Sequence, residues 1–178
     1  MNDLTIPTRD DIQAAYARIS PYLRRTPVLQ VEQDALGLPF PVALKLEHTQ
    51  ITGSFKLRGA LNNIIGADVP AAGVVAASGG NHGAGVAYAA TKLGHASKVF
   101  VPKAIAKEEK LQRMRDFGAE VILSEGSVAD CMDEYAAYAA RSGALSVHPY
   151  DTFPTITGQG TAALEFEAAC PDLDTVLI

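Results

Sequence analysis

The sequence predicts a layered α/β fold on a mostly parallel sheet, and three observations predict it. Short apolar runs recur along the chain, and stretches of helical length and composition separate them. Glycines at Gly94, Gly118 and Gly143 fall where those helices are expected to stop. Strand and helix therefore alternate at least four times. In such an architecture ligands bind in the loops beyond the carboxyl ends of the strands.

In chain order, residues 9–22 have an amphipathic, helix-like pattern. The extended RRTPVLQ leads to VALKLE at 42–47, a short strand. A helix is predicted from about Phe55 to Ile65, with Ser54 as its cap. The runs GVVAAS (73–78), KVFVP (98–102), AEVILS (119–124) and LSVHP (145–149) suit the middle of a parallel sheet. Helices are predicted at 81–93, 106–117 and 128–141, and again at 161–169. The closing DTVLI, 174–178, reads as an apolar strand. A strand in this architecture feeds a loop and another helix, so the chain is expected to be incomplete at its carboxyl end.

A chain of 178 residues, 48% hydrophobic, is long enough to bury a core. Its 15 basic and 20 acidic residues are scattered without long like-charge runs and leave a formal charge of -5. That pattern argues against a nucleic-acid tract or a basic membrane face and favours a small-molecule partner. The two cysteines, Cys131 and Cys170, have no CxxC spacing and no His/Cys cluster, so neither a disulfide scaffold nor a metal site is suggested. The acidic start MNDLTIPTRDD lacks an apolar core segment, and no later run approaches a membrane span. A soluble, cytoplasmic protein is expected.

Three segments carry chemistry. In HTQITGSFKLRGALNNI, Lys56 falls in the first turn of a helix, where its charge meets the positive end of the dipole. Burial and positive potential lower an amine's pKa, and only a neutral amine attacks a carbonyl to form a Schiff base. The alternative is a solvated surface lysine. In ASGGNHGAG, 77–85, Gly79, Gly80 and Gly83 let the backbone approach a ligand where a strand gives way to a helix. The helix N-terminus there offers N–H groups to a carboxylate or phosphate. Ser78, Asn81 and His82 add side-chain partners, although a tight turn alone would have the same composition. It is not a dinucleotide fingerprint, because Tyr88 stands where the third glycine should be. In TITGQGT, 155–161, Gly158 and Gly160 either admit a cofactor or belong to a capped helix start after Pro154.

Ser54-Phe55-Lys56 before Leu-Arg-Gly-Ala, then Ser-Gly-Gly-Asn-His, then Gly-Gln-Gly-Thr, together with RRTPVL and VHPYD, resembles the fold-type II pyridoxal-phosphate family from Arg25 onward. Within that family the chain is most similar to serine/threonine dehydratases. The resemblance implies a three-layer parallel-sheet α/β fold of the tryptophan synthase β-like kind, incomplete at its carboxyl end. Residues 61–149 would form a small α/β domain, and residues 1–60 with 150–178 an incomplete large domain for pyridoxal 5'-phosphate. Lys56 would be the catalytic residue carrying the cofactor as a Schiff base, with Phe55 beside its ring and Asn81 on its 3'-oxygen. Ser78, Gly79, Gly80, Asn81 and His82 would surround the substrate carboxylate.

The activity implied is dehydration and deamination of L-threonine or L-serine to a 2-oxo acid and ammonia, by a homo-oligomer when complete. Similar enzymes that racemise serine carry a second serine where this chain has Gly79, which cannot transfer a proton. Sulfur-transferring relatives usually have Thr after the Asn, where this chain has His82. The alternatives are a serine racemase-type or other fold-type II enzyme and a non-catalytic amino-acid-binding fragment. The 178 residues alone are expected to be inactive, because the glycine-rich phosphate loop of similar enzymes would follow Ile178.

Overall fold

The structure is a computed structural model and describes residues 6–177. Residues 1–5 of the acidic start and Ile178, the last residue of DTVLI, lie outside the described residues. Helix α1 (Arg9–Ile19) opens on Thr8, whose side chain accepts from the Asp11 N–H while the Asp11 carboxylate accepts from the Thr8 N–H. This reciprocal cap satisfies donors that the first turn would leave free. Strands β1 (Val28–Val31) and β2 (Val42–Lys45) pair antiparallel, Leu29 opposite Leu44. Helix α2 (Lys56–Ile65) follows.

Three strand–helix units come next: β3 (Val74–Ala77) with α3 (Asn81–Lys92), β4 (Ser97–Pro102) with α4 (Glu108–Asp116), and β5 (Glu120–Ser124) with α5 (Val128–Ser142). The two-residue β6 (Leu145–Ser146) and the long α6 (Phe153–Ala169) complete the chain. The order β5-β4-β3-β6 is parallel throughout. Alternate residues of the strands divide the core. Val74 and Ala76 pack with α2 and α3, and Val99 and Val101 with α3 and α4. Val75 and Phe100 pack with Cys131, Tyr135 and Tyr138 of α5 on the other face. Period-two alternation of apolar side chains thus yields the expected three layers. Gly94, Gly118 and Gly143 end their helices at φ of +81°, +91° and +69°, in the left-handed region that an L side chain enters at a cost.

Three local expectations differ. Ser54 does not cap α2: Phe55 takes the N-cap place, and the Ser54 hydroxyl meets the Lys56 N–H only at 3.4 Å. Helix α6 begins at Phe153, with Pro154 in its first turn, so GQGT lies inside the helix instead of leading into it. Its glycines are contact points. A Cβ on Gly158 would stand 2.7 Å from the Arg58 carbonyl oxygen, and one on Gly160 would stand 3.0 Å from Ile12. The space they leave is taken by α2 and α1, not by a cofactor. Residues 174–177 of DTVLI form no strand, since no neighbouring strand among the described residues supplies a ladder, and Val176 and Leu177 are exposed.

A buried ion network fixes α2 against β2 and α6. Arg58, fully buried, donates to both carboxylate oxygens of Glu47 at 2.7 and 2.8 Å and to both of Glu165 at 3.0 Å. Lys45 reaches Glu165 at 2.6 Å, and the Thr26 hydroxyl donates to Glu47. Burial alone would lower the Arg58 pKa, and the two carboxylates more than reverse that, raising it above its ordinary value. The cation at the centre is therefore permanent, two residues from Lys56.

Candidate active site

Strand β3 is where the sheet order turns back. The chain leaves it through α3 and α4 toward β4 and β5 on one side, then returns through α5 to place β6 on the other. Right-handed crossovers put those helices on opposite faces, which opens a crevice beyond the carboxyl ends of β3 and β6. A cavity of about 420 Å3 lies there. The turn after β3 gives it Ser78, Asn81 and His82; the segment after β6 gives it Val147, His148, Pro149 and Tyr150; Lys56 enters from α2.

The approach of α2 is set by Gly85. A Cβ on Gly85 would lie 3.2 Å from the Lys56 carbonyl carbon and the Leu57 nitrogen, so α3 and the first turn of α2 touch backbone to backbone. Half-buried Lys56 sends its Nζ to the Pro149 carbonyl oxygen at 2.8 Å, which the Gln159 amide also reaches, at 3.3 Å. The Phe55 ring centroid is 4.9 Å from that Nζ and the Tyr150 centroid 6.0 Å. Burial holds the Lys56 pKa below the usual lysine value, and no carboxylate among the described residues opposes the shift. A neutral amine in this position is a nucleophile toward a carbonyl.

Helix α3 starts at Gly80 without a side-chain cap, the Ser78 hydroxyl instead accepting from the Gly80 N–H at 3.2 Å. Its first N–H groups are open to an anion. A Cβ on Gly80 would meet nothing within 4 Å, whereas one on Gly83 would strike Met114 and the Ser78 carbonyl oxygen at 2.9 and 3.0 Å. Gly80 leaves room for a ligand; Gly83 serves packing. Gly79 faces Ile105 and Val101 at ordinary contact distances. His82 is buried, with Nε2 2.9 Å from the Val147 carbonyl oxygen. Its pKa is lowered to about 4, first by burial and then by Lys56 and His148, with the Val147 carbonyl acting the other way.

The structure thus gathers Lys56, Ser78, Asn81 and His82 around one cavity, with Phe55 beside the lysine and Gly79 and Gly80 shaping the turn. It adds Met132 and Tyr135 of α5, and the whole wall after β6, none of which the sequence singles out as site residues. VHPYD contains a usable signal: the strand feeding it sits beside β3 at the reversal of the sheet, where the second loop of a site belongs.

A family model described as pyridoxal-phosphate dependent enzyme matches residues 19–178. The chain belongs to that family. It is 37% identical over 169 residues to the L-threonine ammonia-lyase of Geobacter sulfurreducens, covering 94% of this chain and 42% of that one. The solved structure of maize serine racemase matches with a TM-score of 0.87 at 36% identity, over 93% of this chain and 50% of the other. The solved threonine deaminase of T.th. matches with a TM-score of 0.86 at 38% identity, over 96% and 54%. The chain spans about half the length of these relatives.

The cofactor of the pyridoxal-phosphate dependent enzymes is an aldehyde on an aromatic ring, and the crevice fits that chemistry. It offers an amine of depressed pKa, the flat faces of Phe55 and Tyr150 near that amine, and an uncapped helix end for an anionic group. Among the described residues no helix is long and apolar enough to cross a membrane.

Proposed function

We propose that the complete protein is a pyridoxal-phosphate-dependent ammonia-lyase that eliminates water from L-threonine or L-serine and releases 2-oxobutanoate or pyruvate with ammonia, in the cytoplasm. The observation that carries this reading is the juxtaposition, in one cavity, of the depressed amine of Lys56 and the uncapped N-terminus of α3. An amino acid has an amine and a carboxylate on one carbon, and the cavity provides for both. The names of the relatives support the same reaction class.

The N–H groups of the α3 turn, the Ser78 hydroxyl and the Asn81 amide would hold the carboxylate, and Asn81 would also help to hold the cofactor. Lys56 would hold the cofactor, with Phe55 beside it. When bound, pyridoxal phosphate supplies an electron sink for the charge that develops at the α-carbon. Lys56 would take the α-proton at Nζ; its depressed pKa leaves more of it in the basic form at neutral pH. The β-hydroxyl would then leave as water with the proton held at Lys56 Nζ. Gly79 has no proton to give from the opposite face, which favours elimination over racemisation. Among the described residues the cavity wall contains no carboxylate and no arginine, a lining suited to a small uncharged side chain. Residues 61–149 form the smaller domain and the flanking segments belong to the larger one, so the crevice lies along their boundary.

The test is release of 2-oxo acid by the purified protein loaded with pyridoxal phosphate, with L-threonine, L-serine and D-serine followed together. A 2-oxo acid product that disappears in Lys56→Ala supports the lyase. Interconversion of L- and D-serine without 2-oxo acid would replace it with a racemase, and no turnover of any of the three would reject both.

A further inference from the structure

We propose that the His82 ring is a neutral strut tying the first turn of α3 to the end of β6, and that it supplies neither charge nor proton to the ligand. The proposal rests on the crevice being the ligand site described above, although its primary test does not.

The geometry fixes the tautomer. Nε2 lies 2.9 Å from the Val147 carbonyl oxygen, which can only accept, so Nε2 carries the hydrogen. The ring is 4% exposed, and Nδ1 is buried without a partner among the described residues. A neutral imidazole has one donor and one acceptor; the donor is spent on Val147, leaving Nδ1 as a bare acceptor. A carboxylate brings acceptors alone, so the two cannot bond. The carboxylate falls instead to the backbone N–H groups of the turn, the Ser78 hydroxyl and the Asn81 amide, and Nδ1 is open only to an O–H or N–H.

Charging the ring would require a proton on Nδ1 at a buried position. The titratable groups that line the same cavity are Lys56 from α2, His148 and Tyr150 beyond β6 and Tyr135 on α5, with no carboxylate among them. Burial, with Lys56 and His148, acts against the cation and outweighs the opposing Val147 carbonyl, in agreement with a pKa of about 4. The strut also sits where it matters mechanically. β6 is two residues long and holds β3 through the Leu145 N–H to the Gly73 carbonyl and the Val147 N–H to the Val75 carbonyl. His82 adds a side-chain tie to this backbone ladder across the same reversal, from the helix that carries the anion-binding turn.

The experiment is nitrogen NMR of the 178-residue chain labelled with 15N-histidine. The chain has four histidines, and the His82 signals are those lost in His82→Gln. The expected result is a protonated Nε2 and a bare Nδ1, constant from about pH 8 to about pH 5 and on addition of L-threonine. Titration near pH 6.5, an Nδ1–H tautomer, or protonation on adding L-threonine would overturn the proposal. Amide hydrogen exchange in the first turn of α3 gives a second measurement. His82→Gln, which keeps an N–H for Val147, should exchange within about threefold of the native rate, and His82→Leu about tenfold faster or more, the loss of one tie. Equal exchange in the two variants would remove the strut. Failure to release 2-oxo acid would count against the function above and leave these readings intact.

Discussion

A Cβ on Gly158 would stand 2.8 Å from the Cα of Gly59, so helices α6 and α2 cross with their backbones in contact. Gly158→Ala gains about 1 kcal/mol of helix propensity and loses about 1–3 kcal/mol to overpacking, because the atoms it meets, two of the backbone and the Asn62 Cβ, cannot turn aside. Net destabilisation is expected, read as a lower urea midpoint. Gly160→Ala meets only the flexible end of Ile12 and should be milder or neutral.

Removing Arg58 strands two carboxylates. Arg58→Leu should cost about 3–5 kcal/mol, since Glu165 remains buried with Lys45 alone and the partly buried Glu47 keeps only the Thr26 hydroxyl. Arg58→Lys restores the charge without the fork that serves both partners and should fall between the native chain and Arg58→Leu. Chemical unfolding of the three proteins measures the order.

On the proposed reading, Lys56 is the amine that captures the cofactor. Titration of the chain with pyridoxal phosphate should give a saturable absorbance band near the visible edge, absent in Lys56→Ala, while the far-ultraviolet circular dichroism of the two proteins stays alike. A band of equal strength in the variant would move the cofactor to another lysine.

Stability should fall in mild acid on account of His82. Its folded pKa of about 4 lies below the ordinary 6.5, so between those values the unfolded chain binds a proton that the folded chain refuses. The contribution is complete above pH 6.5 and is lost as the pH drops toward 4, about 3 kcal/mol in all. Urea unfolding at a series of pH values should show this slope, and His82→Gln should flatten it relative to the native chain.

The strand–helix alternation, the helix stops and the Lys56 and SGGNH segments are legible in the sequence because each depends on residues adjacent in the chain. Ser54 fails as a cap because the chain makes a further turn at Phe55 before α2 begins. GQGT misleads for a related reason: glycine inside a helix looks like a break until the partner helix that needs the space is known, and α2 lies about a hundred residues earlier. Arg58 and Glu165 give no sign of burial, since a charged residue is buried only when its partners arrive from elsewhere in the fold. The wall after β6 escapes because its place depends on strand order, which alternation alone does not specify.

β6 joins the sheet beside β3 although about seventy residues separate them, and it does so with a strand of only two residues. Strands β4 and β5 pair with strands closer in sequence and over longer ladders. Closing so long a loop for so few hydrogen bonds is entropically late, so the crevice should be among the last parts of the molecule to assemble and the first to come apart. A ligand that touches both walls would then act as a folding cofactor, slowing local opening before it undergoes any chemistry.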